Sequence, residues 1–182
     1  MPYAITLALD GEAASIVVSM WRALAGRGIR DDALALGYAP HLTLAVFADD
    51  ANLTRLLDAT RDNAARWPAE PIILSSLGMF PGSLAGLFLA PIVTATLLAR
   101  HTALSASLAG EPVDTHYIPG HWVPHVTLAR DITDPAGAVA ALDLSRLPFD
   151  ATPVAMELVR FRPVTVLARQ ALIQRGQATP NN

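Results

Sequence analysis

The chain has 182 residues, of which 52% are hydrophobic and 16% charged, so it holds enough apolar material for one compact domain of one or two lobes, and its composition is unlike that of a disordered chain. It contains no cysteine, and all 13 basic residues are arginine, which excludes thiolate metal sites, cysteine nucleophiles and chemistry that needs a lysine, such as a lysyl-adenylate. The net charge of −3, without a basic stripe, argues against an extended nucleic-acid surface and, if nucleic acid is the substrate, favours a short piece or an end.

The first half of the chain alternates predicted strands with predicted helices. Short apolar runs indicate the strands, and apolar residues at helical spacing indicate the helices. The predicted elements are a strand over 3–9, a helix over 12–25, a loop over 29–38, a strand over 41–47 and a helix over about 52–66. Asp49 or Asp50 is the expected N-cap of the second helix.

The second half of the chain contains two pairs of adjacent strands, each of which predicts a hairpin. The predicted elements are a strand over 72–79, a turn over 80–85, a strand over 86–90, a helix over 93–108, a strand over 123–129, a short helix over about 134–142, strands over 152–161 and 164–173, and a flexible tail over 175–182. This mixture predicts an α+β layer fold and not a doubly wound parallel sheet.

Residues 71–99 carry no charge, and their number would allow a membrane span. Prolines and glycines divide this stretch into short pieces, so a hairpin is the better prediction. The N-terminus has no basic segment ahead of its short apolar run, which is unlike a secretory signal. We therefore expect a soluble, cytoplasmic protein without membrane contact, and nothing in the pattern demands more than a monomer.

A six-residue motif occurs twice. Residues 40–45 read Pro-His-Leu-Thr-Leu-Ala, and residues 124–129 read Pro-His-Val-Thr-Leu-Ala, 84 residues later. Because side chains alternate along a strand, His41 and Thr43 are expected on one face, and His125 and Thr127 likewise. An internal repeat of this kind predicts two similar halves, each presenting one imidazole and one hydroxyl to a shared cleft.

These residue types suit acid–base chemistry on a phosphodiester. The attacking oxygen loses a proton and the leaving oxygen gains one, and two imidazoles with reference pKa values near ~6.5 can do both at neutral pH. The threonine hydroxyls can donate hydrogen bonds to the phosphate oxygens in the transition state. The pattern does not reveal which histidine is the acid.

The duplicated His-x-Thr motif resembles that of the two-histidine (2H) phosphoesterase superfamily, in its 2′-5′ RNA ligase-like and cyclic phosphodiesterase branch. Both copies, His41-Leu42-Thr43-Leu44 and His125-Val126-Thr127-Leu128, fit it, and the chain length and element order agree. The resemblance implies a bilobal α+β fold, with two antiparallel sheets related by a pseudo-twofold axis around a central cleft, helices outside, and one motif in each lobe. It implies catalysis by His41, Thr43, His125 and Thr127 with neither metal nor cofactor. It implies a substrate with a 2′,3′-cyclic phosphate, an ADP-ribose cyclic phosphate or a 2′-5′ linkage.

Three further residues are candidates for substrate binding. Arg130 would supply positive charge, although simple alternation places it on the opposite strand face unless a twist or bulge turns it. Trp122 and Phe80 could stack on a base or sugar, and core packing is the alternative for each. Arg160 and Arg162 share a strand face that is equally consistent with a solvated surface, and His101 is expected on the surface of a helix.

Two other kinds of function stay open on the sequence alone. His116, His121 and His125 could form a metal cluster, but no carboxylate joins them in a recognised pattern, and prolines interrupt any helix that would align them. The cleft could also belong to a non-catalytic module that binds a nucleotide or phosphate. Direction is undecided as well, because ligation and phosphodiester cleavage would use the same four groups.

Overall fold

The computed structural model describes residues 2–29, 32–82, 85–161 and 163–174, so Arg162 and the predicted tail lie outside the described residues. Helices and strands are mixed along the chain. The strands are β1 (Tyr3–Leu9), β2 (His41–Phe47), β3 (Ile72–Phe80), β4 (Ala85–Pro91), β5 (Val126–Ile132), β6 (Phe149–Ala151), β7 (Pro153–Arg160) and β8 (Thr165–Ala171). The helices are α1 (Gly11–Ala25), α2 (Asp32–Ala35), α3 (Leu53–Ala64), α4 (Ala95–Ser107) and α5 (Pro135–Ala140), with a 3₁₀ turn at Thr115–Tyr117.

The helices begin where a side chain accepts a hydrogen bond from an otherwise unpaired backbone N–H. Asp10 caps α1, Thr94 caps α4 and Asp134 caps α5. The expectation that Asp49 or Asp50 caps α3 is wrong, because Asn52 accepts from the backbone N–H of Arg55 at 3.2 Å. The helix therefore starts one residue after the asparagine and not after the aspartates.

Within the described residues the strands form two antiparallel sheets of four, in the orders β2-β1-β7-β8 and β5-β4-β3-β6. This confirms the predicted α+β class with two sheets, and both predicted hairpins, β3-β4 and β7-β8, are present. Buried residues from both sheets and from the helices belong to one hydrophobic cluster, with Ile5, Leu42 and Leu128 among its most buried members.

The 84-residue offset of the motif also relates the elements around it. Adding it to β1, α1 and β2 gives the positions of β4, α4 and β5 to within two residues at each start. The third strand of each sheet is exchanged: β7, from the second half of the chain, pairs with β1, and β3, from the first half, pairs with β4. Each sheet is thus built from both halves, which makes separate folding of the halves unfavourable.

Several local predictions differ from the structure. The stretch predicted as loop contains the short helix α2, and the short edge strand β6 escaped prediction. Strand β5 begins at Val126 instead of 123, in keeping with the missing N–H of Pro124. The uncharged stretch forms β3, β4 and the start of α4. Of the helices described, none has both the length and the apolar character that crossing a membrane requires.

Candidate active site

The two motifs occupy equivalent places in the two sheets. His41 is the first residue of β2, and His125 immediately precedes β5. The residues at alternate positions, Leu42 and Leu44 in one motif and Val126 and Leu128 in the other, are buried at 1% exposure or less, while the histidines and threonines keep partial exposure. The alternation expected from the sequence therefore holds as far as the threonine in both copies.

A β-bulge follows each threonine. In β2, Thr43 pairs with Thr6 but Ala45 pairs with Ile5, which leaves Leu44 as the extra residue. In β5, Thr127 pairs with Phe88 but Ala129 pairs with Leu87, which leaves Leu128 extra. Two consecutive residues of each strand are consequently buried, and the strand then returns its next side chain to the side of the threonine.

The bulge decides where Arg130 lies. Simple alternation would put it opposite Thr127, but the extra residue reverses the parity, and both Thr127 and Arg130 line the same cleft. The equivalent position in β2 is Val46, which also lines the cleft. The two halves thus share a backbone device but differ in the side chain that it presents.

Two tryptophans hold the motif strands together by hydrogen bonds to the threonine carbonyls. The indole Nε1 of Trp21, in α1, donates to the carbonyl of Thr127 at 3.0 Å. The indole Nε1 of Trp122, just before β5, donates to the carbonyl of Thr43 at 3.0 Å. The first bond links α1 to β5, and the second links the segment before β5 to β2.

Trp122 is therefore part of the core, and the expectation that it stacks on substrate is wrong. It is 8% exposed, and its ring stacks on His101 with centroids 4.0 Å apart and an interplanar angle of 6°. His101 is also buried, at 3% exposure, and its Nε2 lies 3.1 Å from the carbonyl of Leu44, to which it donates. The prediction of a surface position for His101 is wrong, because this face of α4 packs beneath β2.

The two motif imidazoles have the same backbone partner. Nδ1 of His41 donates to the carbonyl of Ala39 at 2.8 Å, and Nδ1 of His125 donates to the carbonyl of Val123 at 2.7 Å. Because a carbonyl only accepts, these bonds place the proton of the neutral ring on Nδ1 and leave Nε2 for proton exchange.

Burial lowers the pKa of both imidazoles, an effect that the hydrogen bonds to the carbonyls oppose and that the positive charge of Arg130 reinforces. The negative charge of Glu157 raises the pKa of His41, and His125 lowers it. The positive charge of Arg130 thus acts on both motif histidines.

The rings beside the two imidazoles differ. The ring of Tyr38 lies 4.6 Å from that of His41, whereas Phe80 and Phe88 lie 5.0 and 5.2 Å from His125. Phe80 is 39% exposed, so the structure places this predicted substrate-binding residue beside the second motif with a face open to solvent.

The cleft is a cavity of about 580 Å³ between the two motif strands. Its walls include Thr6, Trp21, Leu36, Tyr38, His41, Thr43, Val46, Asp114, Tyr117, Thr127, Arg130, Val159, Phe161 and Val164. Arg130 is the single arginine among its described lining residues, and most of its remaining wall is apolar. Arg160, at the end of β7, is not part of this lining, and Arg162 lies outside the described residues.

Sequence reasoning missed several of these residues. Tyr38 lies in a stretch predicted as loop, Asp114 in an unassigned segment and Phe161 at a strand end, and none belongs to a repeated pattern. Trp21 was not recognised as a site residue, because its spacing with Ile16, Val17 and Leu24 is that of any buried helix face. The repeat was the only sequence signal able to find this site.

The described residues contain no group of three or more histidines, aspartates or glutamates arranged to hold a metal ion. His116 instead bonds through Nδ1 to the carboxylate of Asp114 at 2.9 Å, and His121 is exposed. The three histidines considered as a metal cluster are thus not gathered into one.

Comparison with known proteins agrees with this architecture. The family model of the 2′-5′ RNA ligase superfamily matches residues 13–164. A search of curated proteins found no match.

Among solved structures, TT0787 of Thermus thermophilus is 20% identical, with a TM-score of 0.66 over 96% of this chain and 100% of that one. E. coli LigT, solved in complex with 3′-AMP, is 22% identical, with a TM-score of 0.60 over 94% of this chain and 99% of LigT. Kluyveromyces marxianus Usb1 is 13% identical, with a TM-score of 0.51 over 94% of this chain and 98% of Usb1. At these identities the likeness shows a shared fold.

Proposed function

The chain belongs to the 2′-5′ RNA ligase superfamily, whose members are phosphoesterases or RNA ligases, and on this premise we propose that it is a metal-independent phosphoesterase. Its substrate carries a 2′,3′-cyclic phosphate or a 2′-5′ phosphodiester, in a nucleotide or at the end of a short RNA. His41 and His125 act as the general acid–base pair, and Thr43 and Thr127 bind the phosphate oxygens.

One observation carries the proposal. The two histidine motifs, 84 residues apart in the chain, lie at equivalent places in the two sheets, and each imidazole has Nδ1 bound to a backbone carbonyl. His41, Thr43 and Thr127 line one cleft, and His125, outside that lining, lies two residues before Thr127. In-line displacement at phosphorus needs a base on the side of the attacking oxygen and an acid on the side of the leaving oxygen. We infer that the imidazoles of His41 and His125, which occupy equivalent places in the two sheets, take these two positions on either side of the phosphate.

Hydrolysis of a cyclic phosphate then proceeds in one displacement. Nε2 of one neutral imidazole takes a proton from the attacking water, whose oxygen forms a bond to phosphorus. The bond from phosphorus to one ribose oxygen breaks, and the other imidazole, protonated on Nε2, gives its proton to that oxygen. The product is a nucleoside monophosphate with a free neighbouring hydroxyl, and the roles of the two histidines exchange in the reverse direction.

Binding of the phosphate favours the protonated form of one imidazole. Burial lowers the pKa of both histidines in the free protein, which favours the neutral base. A bound phosphate diester brings a negative charge into the cleft, and that charge favours the protonated form of the neighbouring ring. Thr43, Thr127 and Arg130 supply donors to the non-bridging oxygens, where charge is redistributed in the transition state.

The charge of the cleft supports a small substrate. Arg130 is the single arginine among the described lining residues, and the whole chain has a net charge of −3. A chain of phosphates would gain little here, since affinity for long nucleic acids rests on many phosphate contacts. LigT was solved with the single nucleotide 3′-AMP, which is consistent with a substrate of this size. Phe80, exposed beside His125, is the proposed contact for the base or sugar.

The test is turnover of a panel of 2′,3′-cyclic nucleotides in the presence of EDTA. We expect product from the wild type and a loss of about 10²–10⁴-fold in His41→Ala and in His125→Ala. His121→Ala is the matched control, because His121 lies exposed near the second motif and should leave the rate unchanged. Full activity in either motif variant would contradict the acid–base assignment.

The ligation direction is tested with the same proteins. An RNA that ends in a 2′,3′-cyclic phosphate is mixed with one that begins with a 5′-hydroxyl, and 2′-5′ joined product is measured. If nucleotides bind by calorimetry but neither cleavage nor joining occurs over hours, the cleft belongs to a binding module, and the enzymatic proposal fails.

A further inference from the structure

A buried polar network lies behind His41. The phenol of Tyr38 donates to Glu157 Oε2 at 2.6 Å, and the same hydroxyl lies 2.7 Å from Thr6 Oγ1. The other carboxylate oxygen of Glu157 accepts from the guanidinium of Arg169. Glu157 is only 2% exposed and Thr6 only 1%, so a carboxylate is buried in the core, where it needs hydrogen-bond partners for its oxygens.

The cost of that burial suggests a function. A buried carboxylate gives little net stability, because its loss of hydration offsets most of what its partners return. Strand β7 could carry an apolar residue at position 157, as it does at Ala155 and Val159, the buried neighbours on the same strand face. The network instead ends at the ring of Tyr38, which packs against the imidazole of His41 at 4.6 Å with an interplanar angle of 44°.

Position 38 would otherwise be weakly held. Tyr38 lies between the short helix α2 and β2, and its neighbours Gly37 and Ala39 are exposed. Burial and the hydrogen bond to Glu157 both raise the pKa of the Tyr38 phenol, so it stays protonated and able to donate. The carboxylate therefore fixes the end of a side chain whose ring forms one wall of the histidine.

Among the residues that the structure describes, no carboxylate network like this one lies beside the second histidine. His125 packs against Phe80 and Phe88, which bring no charge and no hydrogen bond to the imidazole. The two rings have equivalent backbone bonds, and Arg130 lowers the pKa of both, so the difference between their environments comes from the neighbouring side chains.

We propose that Tyr38 and Glu157 are positioning residues for His41: the carboxylate anchors the phenol, and the phenol ring holds the imidazole in the orientation in which Nδ1 bonds to Ala39 and Nε2 stays available. The pair also distinguishes the first histidine from the second electrostatically. The catalytic part of this inference rests on the proposed function, whereas the effect on the imidazole itself does not.

The charged and titratable groups around His41 set the expected directions. They are Glu157 on β7, Arg130 on β5, His125 before β5 and Tyr38 before β2, with Arg169 on β8 behind the carboxylate. Removing the negative charge in Glu157→Gln should lower the pKa of His41. Removing the ring in Tyr38→Leu should admit water and raise that pKa, because burial is the largest cause of its depression.

The first experiment is an NMR titration of the histidine Cε1 protons in the wild type, Glu157→Gln, Tyr38→Phe and Tyr38→Leu. We expect the pKa of His41 to shift in opposite directions in Glu157→Gln and Tyr38→Leu, while that of His125 stays near its wild-type value. Opposite shifts at one histidine are not produced by general loosening of the fold. Equal His41 pKa values in all four proteins would overturn the proposal, whether or not the protein hydrolyses cyclic nucleotides.

The second experiment measures kcat and KM on the cyclic nucleotide that the wild type hydrolyses. Tyr38→Leu should lower kcat by up to about 100-fold, the cost of a misplacement of about 1 Å, with a smaller change in KM. Tyr38→Phe keeps the ring but loses its anchor and should lie between Tyr38→Leu and the wild type. Tyr3→Phe, which removes a phenol outside the cleft lining, is the matched control with unchanged kcat. Wild-type kcat in folded Tyr38→Leu would overturn the positioning role.

Discussion

Gly78→Ala should disturb the second histidine from a distance. Gly78 pairs with Phe88 across the β3-β4 hairpin, and a Cβ added at this glycine would lie 2.3 Å from Cε2 and 2.4 Å from Cζ of the Phe88 ring. That ring is 7% exposed and lies 4.4 Å from the ring of Phe80 and 5.2 Å from His125. The glycine thus provides the space in which the aromatic wall of His125 sits.

The size of the effect follows from the contact. Carbon atoms prefer separations of about 3.5–4.0 Å, so the Phe88 ring would have to withdraw by about 1 Å into neighbours that already touch it. Forcing an extra methyl into a packed site costs about 1–3 kcal/mol. Replacing a strand glycine also stabilises by about 0.4–1 kcal/mol, because the unfolded chain loses freedom, and this gain must be separated from the clash.

Gly86→Ala separates the two contributions. Gly86 lies in the same hairpin, opposite Phe80, and its added Cβ would meet nothing closer than 3.8 Å. Both variants gain the same backbone contribution, so the difference between them measures the clash alone. At about 2–4 °C per kcal/mol for a chain of this size, Gly78→Ala should melt about 2–12 °C below Gly86→Ala. We also expect a lower kcat in Gly78→Ala only. Melting temperatures within 1 °C of each other, by calorimetry, would refute the packing argument.

Three further predictions concern stability, each measured by urea unfolding. Asn52→Ala should cost about 1 kcal/mol through loss of the α3 cap, whereas Asp50→Ala should cost less than half of that; equal losses would contradict the assignment. Trp122→Phe should cost about 1–3 kcal/mol, since it leaves the Thr43 carbonyl without its indole donor, and a neutral result would mean that water replaces it. Burial lowers the pKa of His101, so below pH ~6.5 the unfolded state takes up a proton on this residue more readily than the folded state does. The free energy of unfolding should therefore fall from pH 7.5 to 5.0. If it falls as steeply with pH in His101→Gln, His101 is not responsible.

The sequence predicted the sheets and the paired motifs well because both depend on local periodicity. Strand β2 was predicted over the residues that form it, and both hairpins were found from apolar runs flanking a turn. The exchange of β3 and β7 between the sheets could not be predicted, since the pairing of distant strands depends on tertiary packing that no local pattern records. The same reason explains the misplaced His101, whose helix has a weakly defined apolar face until β2 covers it.

The candidate site was predictable only where it repeats. His41, Thr43, His125 and Thr127 stood out because two copies of a polar pattern in strands are improbable by chance. The side of the strand on which Arg130 lies depends on a β-bulge, and the Leu-Ala sequence of the motif does not predict an extra residue in the strand pairing. Trp122 was proposed as a substrate contact because it stands beside a motif, although core packing is the more common role of such a residue. Its burial and its stacking on His101 identify it as part of the core.

The backbone around the two histidines is nearly symmetric, but the proposed reaction is not, because one ring must accept a proton while the other donates one. Symmetry alone would give both imidazoles the same pKa and would not decide which of them is the base. The asymmetry comes from Glu157, whose carboxylate raises the pKa of His41, whereas Arg130, at the position that Val46 has in the other strand, lowers the pKa of both imidazoles. Changing these positions should alter which imidazole acts as the base and the pH range of the reaction. The bulges, the carbonyl bonds and the indole bonds do not involve the side chains of Arg130 and Glu157.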